Sequence, residues 1–191
     1  MQPYRIVIAD DESIIRLDLK KVLEDAGHTV VAEAADGETA LSLVRNLKPD
    51  VAILDIKMPV MDGLDAAKKI TEEAIAPVLL LTAYSEGDLI DRAKEAGVYG
   101  YLVKPFQETD LRPAIEVAVA RFEQMKALNA QVTSLEDKLE TRKIVERAKG
   151  ILMDKFSMQE AEAFRRIQTQ SMNTRKSMRE IAEAIIIANE V

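Results

Sequence analysis

Five residues of this chain have the types and spacing to do chemistry together: Asp10, Asp11, Asp55, Thr82 and Lys104. Asp10 and Asp11 follow the apolar run Ile6-Val7-Ile8-Ala9, and Asp55 closes Val51-Ala52-Ile53-Leu54. Thr82 closes Val78-Leu79-Leu80-Leu81, and Lys104 follows Gly100-Tyr101-Leu102-Val103. Taken singly, each reads equally well as a solvated strand end or a helix cap. Gathered at one place they make a site. Three carboxylates around one point repel unless a cation neutralises them, and an all-oxygen site of this kind suits Mg2+. An ammonium and a hydroxyl close by suit a phosphoryl group carried on one of the carboxylates. The cations offset charge on its oxygens, and the hydroxyl donates a hydrogen bond.

Such a gathering needs elements that bring the five residues to one edge. Apolar runs at Arg5–Ala9, Thr29–Ala32, 51–54, 78–81 and 100–103 read as five strands. Helical stripes alternate with them. The first is carried by Ile14, Leu17, Val22 and Leu23, the second by Ala40, Leu41, Val44 and Leu47. Ala66, Ala67 and Ile70 carry the third, and Leu89, Ala93 and Ala96 the fourth. Strand and helix in alternation predict an α/β fold with a parallel sheet covered on both faces. Right-handed crossovers make it doubly wound. In a parallel sheet the strand ends open on one edge, where such folds hold ligands. His28, the single histidine, is expected to be exposed before the second strand, with no role.

From Thr109 to about Asp154 the one helix breaker is Pro113, which fits a first helical turn. Met125, Leu128, Val132, Leu135 and Leu139 are spaced 3, 4, 3 and 4, a heptad seam. The seam could lie on its own domain, as residues near Ile115 and Ala118 should, or pair with a second copy in a coiled coil, and the latter is favoured. The last 50 or so residues predict three helices in all, counting the end of the long one. Ser157 to Glu160 and Ser177 to Glu180 both fit a capping box. Gly150 falls inside a helix, where a close helix crossing would explain it. Phe156 and Phe164 read as core, so a base-stacking platform is not evident.

The bulk composition narrows the function classes. The 191 residues contain no cysteine, which excludes a disulfide framework, Cys-ligated zinc and thiol catalysis. No apolar stretch reaches the roughly 20 residues needed to span a bilayer, and the N-terminus shows no signal peptide, so a cytoplasmic protein without membrane association is expected. The formal net charge of -7 is unevenly spread. Residues 1–125 hold 14 Lys/Arg against 23 Asp/Glu, whereas residues 142–179 hold 10 against 4. An acidic half and a basic half suggest two jobs, the second with a polyanion. Arg142, Lys143, Arg147, Lys149, Arg165, Arg166, Arg175 and Lys176 are the candidate phosphate contacts, with Gln170 and Asn173 available for base edges. Arg165-Arg166 and Arg175-Lys176 are read as bracketing a helix–helix connection at Ser171-Met172-Asn173-Thr174.

Residues 4–122 resemble the receiver domain of two-component response regulators. The resemblance rests on Ala9-Asp10-Asp11-Glu12, Asp55-Ile56-Lys57-Met58-Pro59 with Asp62-Gly63, Thr82-Ala83, and Tyr101-Leu102-Val103-Lys104-Pro105-Phe106. It implies a flavodoxin-like strand order 2-1-3-4-5. It implies that Asp55 accepts phosphate from a histidine kinase, with Thr82 and Lys104 on the phosphoryl oxygens. Mg2+ would be held by Asp11, Asp55 and the backbone carbonyl of Lys57, with Asp10 acting through water. Tyr101 matches an aromatic switch residue that moves inward, and Lys104-Pro105 a peptide that is typically cis in the family.

Residues of about 135–190 resemble the ANTAR domain, an RNA-binding antiterminator module. Arg147-Ala148-Lys149-Gly150-Ile151-Leu152-Met153, Glu160-Ala161 with Phe164-Arg165, and Asn173 to Ala182 carry that likeness. The expected organisation is a receiver domain over 1–122, a helical coiled-coil linker over 123–141 and a three-helix RNA-binding domain over 142–191. The expected function is phosphorylation-controlled transcription antitermination through RNA hairpins, by a protein that dimerises on activation. The alternative is a DNA-binding regulator, since three helices can form a helix-turn-helix. That reading fits less well, because Ile181–Ala188 is mostly apolar. An output enzyme is not expected: after residue 125 there is no nucleophile–base pair, metal cluster or Gly-rich phosphate loop.

Overall fold

The structure, a computed structural model, describes residues 3–83 and 96–189. The expected fourth helical stripe falls largely outside these residues, and only Ala96 of it is seen, buried. Five strands form one parallel sheet: β1 (Arg5–Ala9), β2 (Thr29–Ala34), β3 (Val51–Asp55), β4 (Val78–Thr82) and β5 (Gly100–Val103). Their order is β2-β1-β3-β4-β5, the expected flavodoxin-like arrangement.

Alternation along each strand builds two cores. Val7, Ala9, Ala52, Leu54, Val78 and Leu80 point to one face, where α2 (Gly37–Leu47) and α3 (Gly63–Glu72) cover them. Ile6, Ile8, Val51, Ile53, Leu79 and Leu81 point to the other, against Leu19 and Leu23 of α1 (Ser13–Asp25). Leu111, Ile115 and Ala118, early in the long helix α4 (Glu108–Phe156), complete that second core. Because both faces are buried, the central strands read as unbroken apolar runs rather than as alternating ones.

Several expectations about these elements change. In α1 it is Leu19 and Leu23 that are buried, while Ile14 and Leu17 are 81% and 69% exposed. His28 is buried, not exposed. Its ring stacks on Tyr4 at 5.5 Å between centroids, and Nδ1 accepts the Tyr4 backbone N–H at 3.3 Å. Pro113 lies in the second turn of α4, since the helix already begins at Glu108.

The chain divides into two compact units, Met1–Lys126 and Ala127–Val191. In the second unit the last part of α4 packs with α5 (Glu160–Thr174) and α6 (Met178–Ile187). Val145, Ala148, Leu152, Ala163, Ile167, Ile181, Ala182 and Ile186 form its core. Helix α6 starts with the expected capping box. The Ser177 hydroxyl accepts the Glu180 N–H at 3.2 Å, and the Glu180 carboxylate accepts the Ser177 N–H at 2.8 Å. The other expected box does not form. Helix α5 is entered through Gln159 with no side-chain cap, and Ser157 takes a left-handed φ of 55° instead. Residues Ser171 to Thr174 are the last turn of α5, so the connection to α6 is only Arg175 to Ser177. Gly150 has no atom within 4 Å of where a Cβ would stand, so no close helix crossing accounts for it.

Candidate functional site

Register brings the acidic residues together. Ala9 pairs with Leu54, Asp55 with Leu81 and Thr82 with Val103, so Asp10, Asp55, Thr82 and Lys104 end on the same edge. Asp10, Asp55 and Thr82 are buried. The Lys104 ammonium lies between the two carboxylates, 2.6 Å from Asp10 Oδ2 and 2.5 Å from Asp55 Oδ1. The remaining oxygens are held by backbone donors, Asp10 Oδ1 by the Glu12 N–H at 2.9 Å and Asp55 Oδ2 by the Lys57 N–H at 2.8 Å. The Lys104 N–H donates to the Thr82 carbonyl at 2.8 Å, tying the ends of β4 and β5. The Lys104-Pro105 peptide is cis.

Burial raises the Asp55 carboxyl above the usual carboxylate range. The hydrogen bond and charge of Lys104 oppose this, the Asp10 charge adds to it, and the Lys57 N–H also opposes. Burial works to lower Lys104, but its hydrogen bonds to Asp10 and Asp55 and their charges outweigh it, and the ammonium is held above its ordinary value. Asp11 is exposed at the rim. It lines, with Asp55, Lys57, Thr82 and Lys104, a cleft of about 700 Å³.

The carboxylates of Asp10, Asp11 and Asp55 outnumber the one ammonium that lies between two of them, and such an oxygen donor set fits a divalent cation. Among the described residues no three acidic side chains enclose an ion by themselves, so a cation here needs backbone or water oxygens as well. Tyr101 is not among the residues that line this cleft and is 45% exposed. Sequence reasoning missed Arg16, whose guanidinium donates to the Asp10 carbonyl at 2.6 Å. It also missed the apolar wall formed by Ile14, Ile15 and Phe106. Its place one turn into α1, the helix that follows the acidic pair, was the available signal for Arg16.

In the basic module, Arg142, Lys143, Arg147, Arg165, Arg166, Gln170, Asn173, Arg175 and Lys176 are exposed. Lys149 is not. Its side chain is buried, and its ammonium is held by Glu146 at 2.9 Å and Glu160 at 2.7 Å. The hydrogen bonds to Glu160 and Glu146 raise its pKa. Lys149 is therefore an internal tie between α4 and α5, contrary to the expectation that it faces a polyanion. The two phenylalanines also depart from expectation: Phe156 is 55% exposed and Phe164 41%. The Arg166 guanidinium carbon lies 6.0 Å from the centre of the Phe156 ring. Both rings sit where the three-helix core runs out, next to a helix end or on the flank of the buried stripe. Spacing alone does not reveal that.

The sequence profile of the response regulator receiver domain matches residues 6–116, and that of the ANTAR domain matches residues 133–186. The chain belongs to the response regulator family. It is a receiver joined to an ANTAR output module, the RNA-binding antiterminator type. Similarity to "Transcriptional regulatory protein PdtaR" of Mycobacterium tuberculosis runs through both modules, 49% identical over 184 residues, 96% of this chain and 90% of that protein. A protein-glutamate methylesterase/protein-glutamine glutaminase of Haloarcula marismortui is 38% identical over 109 residues. That match spans 56% of this chain and 30% of the methylesterase, whereas the second module of this chain matches the ANTAR domain, so the two proteins are alike in the receiver and differ in output. The signal receiver domain of the Mycobacterium tuberculosis response regulator NarL superposes with a TM-score of 0.57 at 31% identity. It covers 64% of this chain and 98% of that domain. Among the described residues no helix of this regulator is long and apolar enough to cross a membrane.

Proposed function

We propose that Asp55 takes a phosphoryl group from a histidine kinase, and that the added charge governs how residues 142–191 engage RNA hairpins in a leader transcript. The observation that carries this reading is the position of Lys104, bridging Asp10 and Asp55 on the floor of the cleft. In the transfer, a carboxylate oxygen of Asp55 forms a bond to phosphorus as the phosphorus–nitrogen bond to the kinase imidazole breaks. The products are an acyl phosphate and a free histidine. Lys104, already at Asp55 Oδ1, is placed to meet the incoming oxygens, and Thr82 lines the same cleft as a hydroxyl donor. Asp11, Asp55 and the Lys57 carbonyl would hold Mg2+, with Asp10 acting through water. The ion would supply positive charge against the phosphoryl oxygens. Ile14 and Leu17, exposed on α1, offer an apolar landing surface near the cleft for the kinase. Tyr101 would report the switch by moving inward when Thr82 turns to the phosphate.

The output half follows from the same charge logic. Arg147, Arg165, Arg166, Arg175 and Lys176 contact the RNA backbone, with Gln170 and Asn173 at base edges. The boundaries we assign are 1–122 for the receiver, 123–141 for the linker and 142–191 for the RNA module. Within the linker, Met125, Leu128, Val132, Leu135 and Leu139 are each about half exposed. An exposed heptad seam supports a second copy as partner, which would let two modules bind two hairpins with an avidity gain. The site of action is the cytoplasm.

Fluoroberyllate, which mimics an aspartyl phosphate, tests the switch. It should change oligomer mass by light scattering or affinity for RNA recovered with the protein, and Asp55→Asn should abolish the response. A wild-type protein indifferent to fluoroberyllate in both measurements would sink the proposal.

A further inference from the structure

We propose that Phe156, with the Arg166 guanidinium over one face of its ring, is a stacking site for an unpaired RNA base. This rests on the RNA-binding reading of the output module and names the part of the RNA that it recognises.

Phe156 is the last residue of α4 and leaves the core before it can be covered, with 55% of its surface exposed. A solitary exposed phenylalanine is ordinary, but this one has polar company suited to a nucleobase. Arg166 stands 6.0 Å from the ring centre, within range of a cation–π contact. The guanidinium lies over one face of the ring, so a base would stack on the opposite face, and a ring face demands no particular base. On α5, Arg166, Gln170 and Asn173 recur at i, i+4 and i+7 and so share one face. All three are exposed. Gln170 and Asn173 each carry an amide that can donate to and accept from a base edge. Beyond Asn173, Arg175 and Lys176 follow the C-terminal end of α5, two cations that suit a phosphate backbone. An aromatic ring and a planar cation fit an unpaired loop base, and the amides one and two turns further along α5 fit the edges of its neighbours. A paired stem would hide its base faces and present only phosphates and groove edges.

The chain has no tryptophan, so Phe156→Trp installs a single indole reporter. The probes are a pool of RNA hairpins with randomised loops and a blunt RNA duplex of the same stem, both with the full-length protein. The indole emission should be quenched by the hairpin pool and left unchanged by the duplex. Phe156→Leu should lower affinity for the hairpins on the order of 10- to 100-fold, the cost of losing one stacked base. Phe156→Tyr should bind as wild type does, and the duplex should bind all variants alike. The proposal is overturned if Phe156→Leu binds hairpins like wild type, or if it loses hairpin and duplex affinity equally. It is also overturned if the indole responds to protein concentration without RNA, since a second copy would then cover the ring. Binding of wild type to neither RNA would overturn the RNA reading itself, whereas hairpin binding insensitive to Phe156→Leu would overturn only the stacking site.

Discussion

Gly63 and Asp55 touch through their backbones: a Cβ built on Gly63 would lie 1.8 Å from the Asp55 carbonyl oxygen. The Gly63 N–H also donates to the Ile56 carbonyl at 2.8 Å, and the Asp62 side chain caps α3 by accepting the Asp65 N–H at 2.7 Å. The start of α3 is thus pressed against the end of β3, and that pressure holds the loop from Asp55 to Met61 in place. Glycine is needed here for close approach rather than for an unusual φ.

Gly63→Ala should therefore be costly, because the obstructing atom is backbone and cannot rotate away. The expected loss is about 3 kcal/mol, in the range of overpacked cores, read from the urea midpoint. The fluoroberyllate response should weaken with it. An unaffected midpoint would mean that α3 shifts freely and does not position Asp55.

Gly150 predicts the opposite sign. It lies within α4, and a Cβ there meets nothing within 4 Å. Gly150→Ala should raise stability by about 1 kcal/mol through helix propensity alone. Thermal melting of the full chain measures it. A lower melting temperature would show that the glycine is required by the fold.

His28 gives a pH dependence. Burial holds its pKa below the ordinary 6.5, Arg112 adds to the lowering and Glu116 opposes it. As pH falls, the unfolded chain takes up the proton first. Stability then declines from about pH 6.5 down to the folded-state pKa and levels off below it. Protonated Nδ1 could no longer accept the Tyr4 N–H. His28→Asn, which keeps an acceptor near Nδ1 but does not titrate, should remove that part of the decline in denaturation curves taken across this range. Identical pH profiles for the two proteins would refute the assignment.

Lys149 and the exposed arginines should separate in an RNA titration. Arg165→Glu with Arg166→Glu should lower hairpin affinity by more than tenfold and flatten its salt dependence, as lost phosphate contacts do. Lys149→Met should leave affinity within about twofold, since its ammonium is already spent on Glu146 and Glu160. Equal losses in the two variants would put Lys149 at the RNA face.

Much of the receiver was legible because its signals are local. Apolar runs of five residues ending in Asp, Thr or Lys announce strands and the polar groups at their ends, and parallel topology obliges those ends to share an edge. The sequence thus places Asp10 and Lys104, 94 residues apart, on one edge, while their direct hydrogen bond belongs to the folded structure. The capping box at Ser177 and the heptad spacing of the linker are local in the same way.

The misread positions share a different cause. His28, Lys149, Phe156 and Phe164 each lie on the other side of the surface from the one that spacing and charge imply. Spacing tells which residues share a helix face, and the charge of a side chain tells what burial would cost. Neither says where a neighbouring helix ends. Phe156 continues the buried stripe of α4 but outlasts the helices that cover it. Lys149 continues a basic block but falls under α5, where Glu160 neutralises it. The sequence by itself determined the strands, their order of chemistry and the two opposite charges of the halves. Only tertiary packing decided which of those side chains meet solvent, because exposure is set by neighbours distant in the chain.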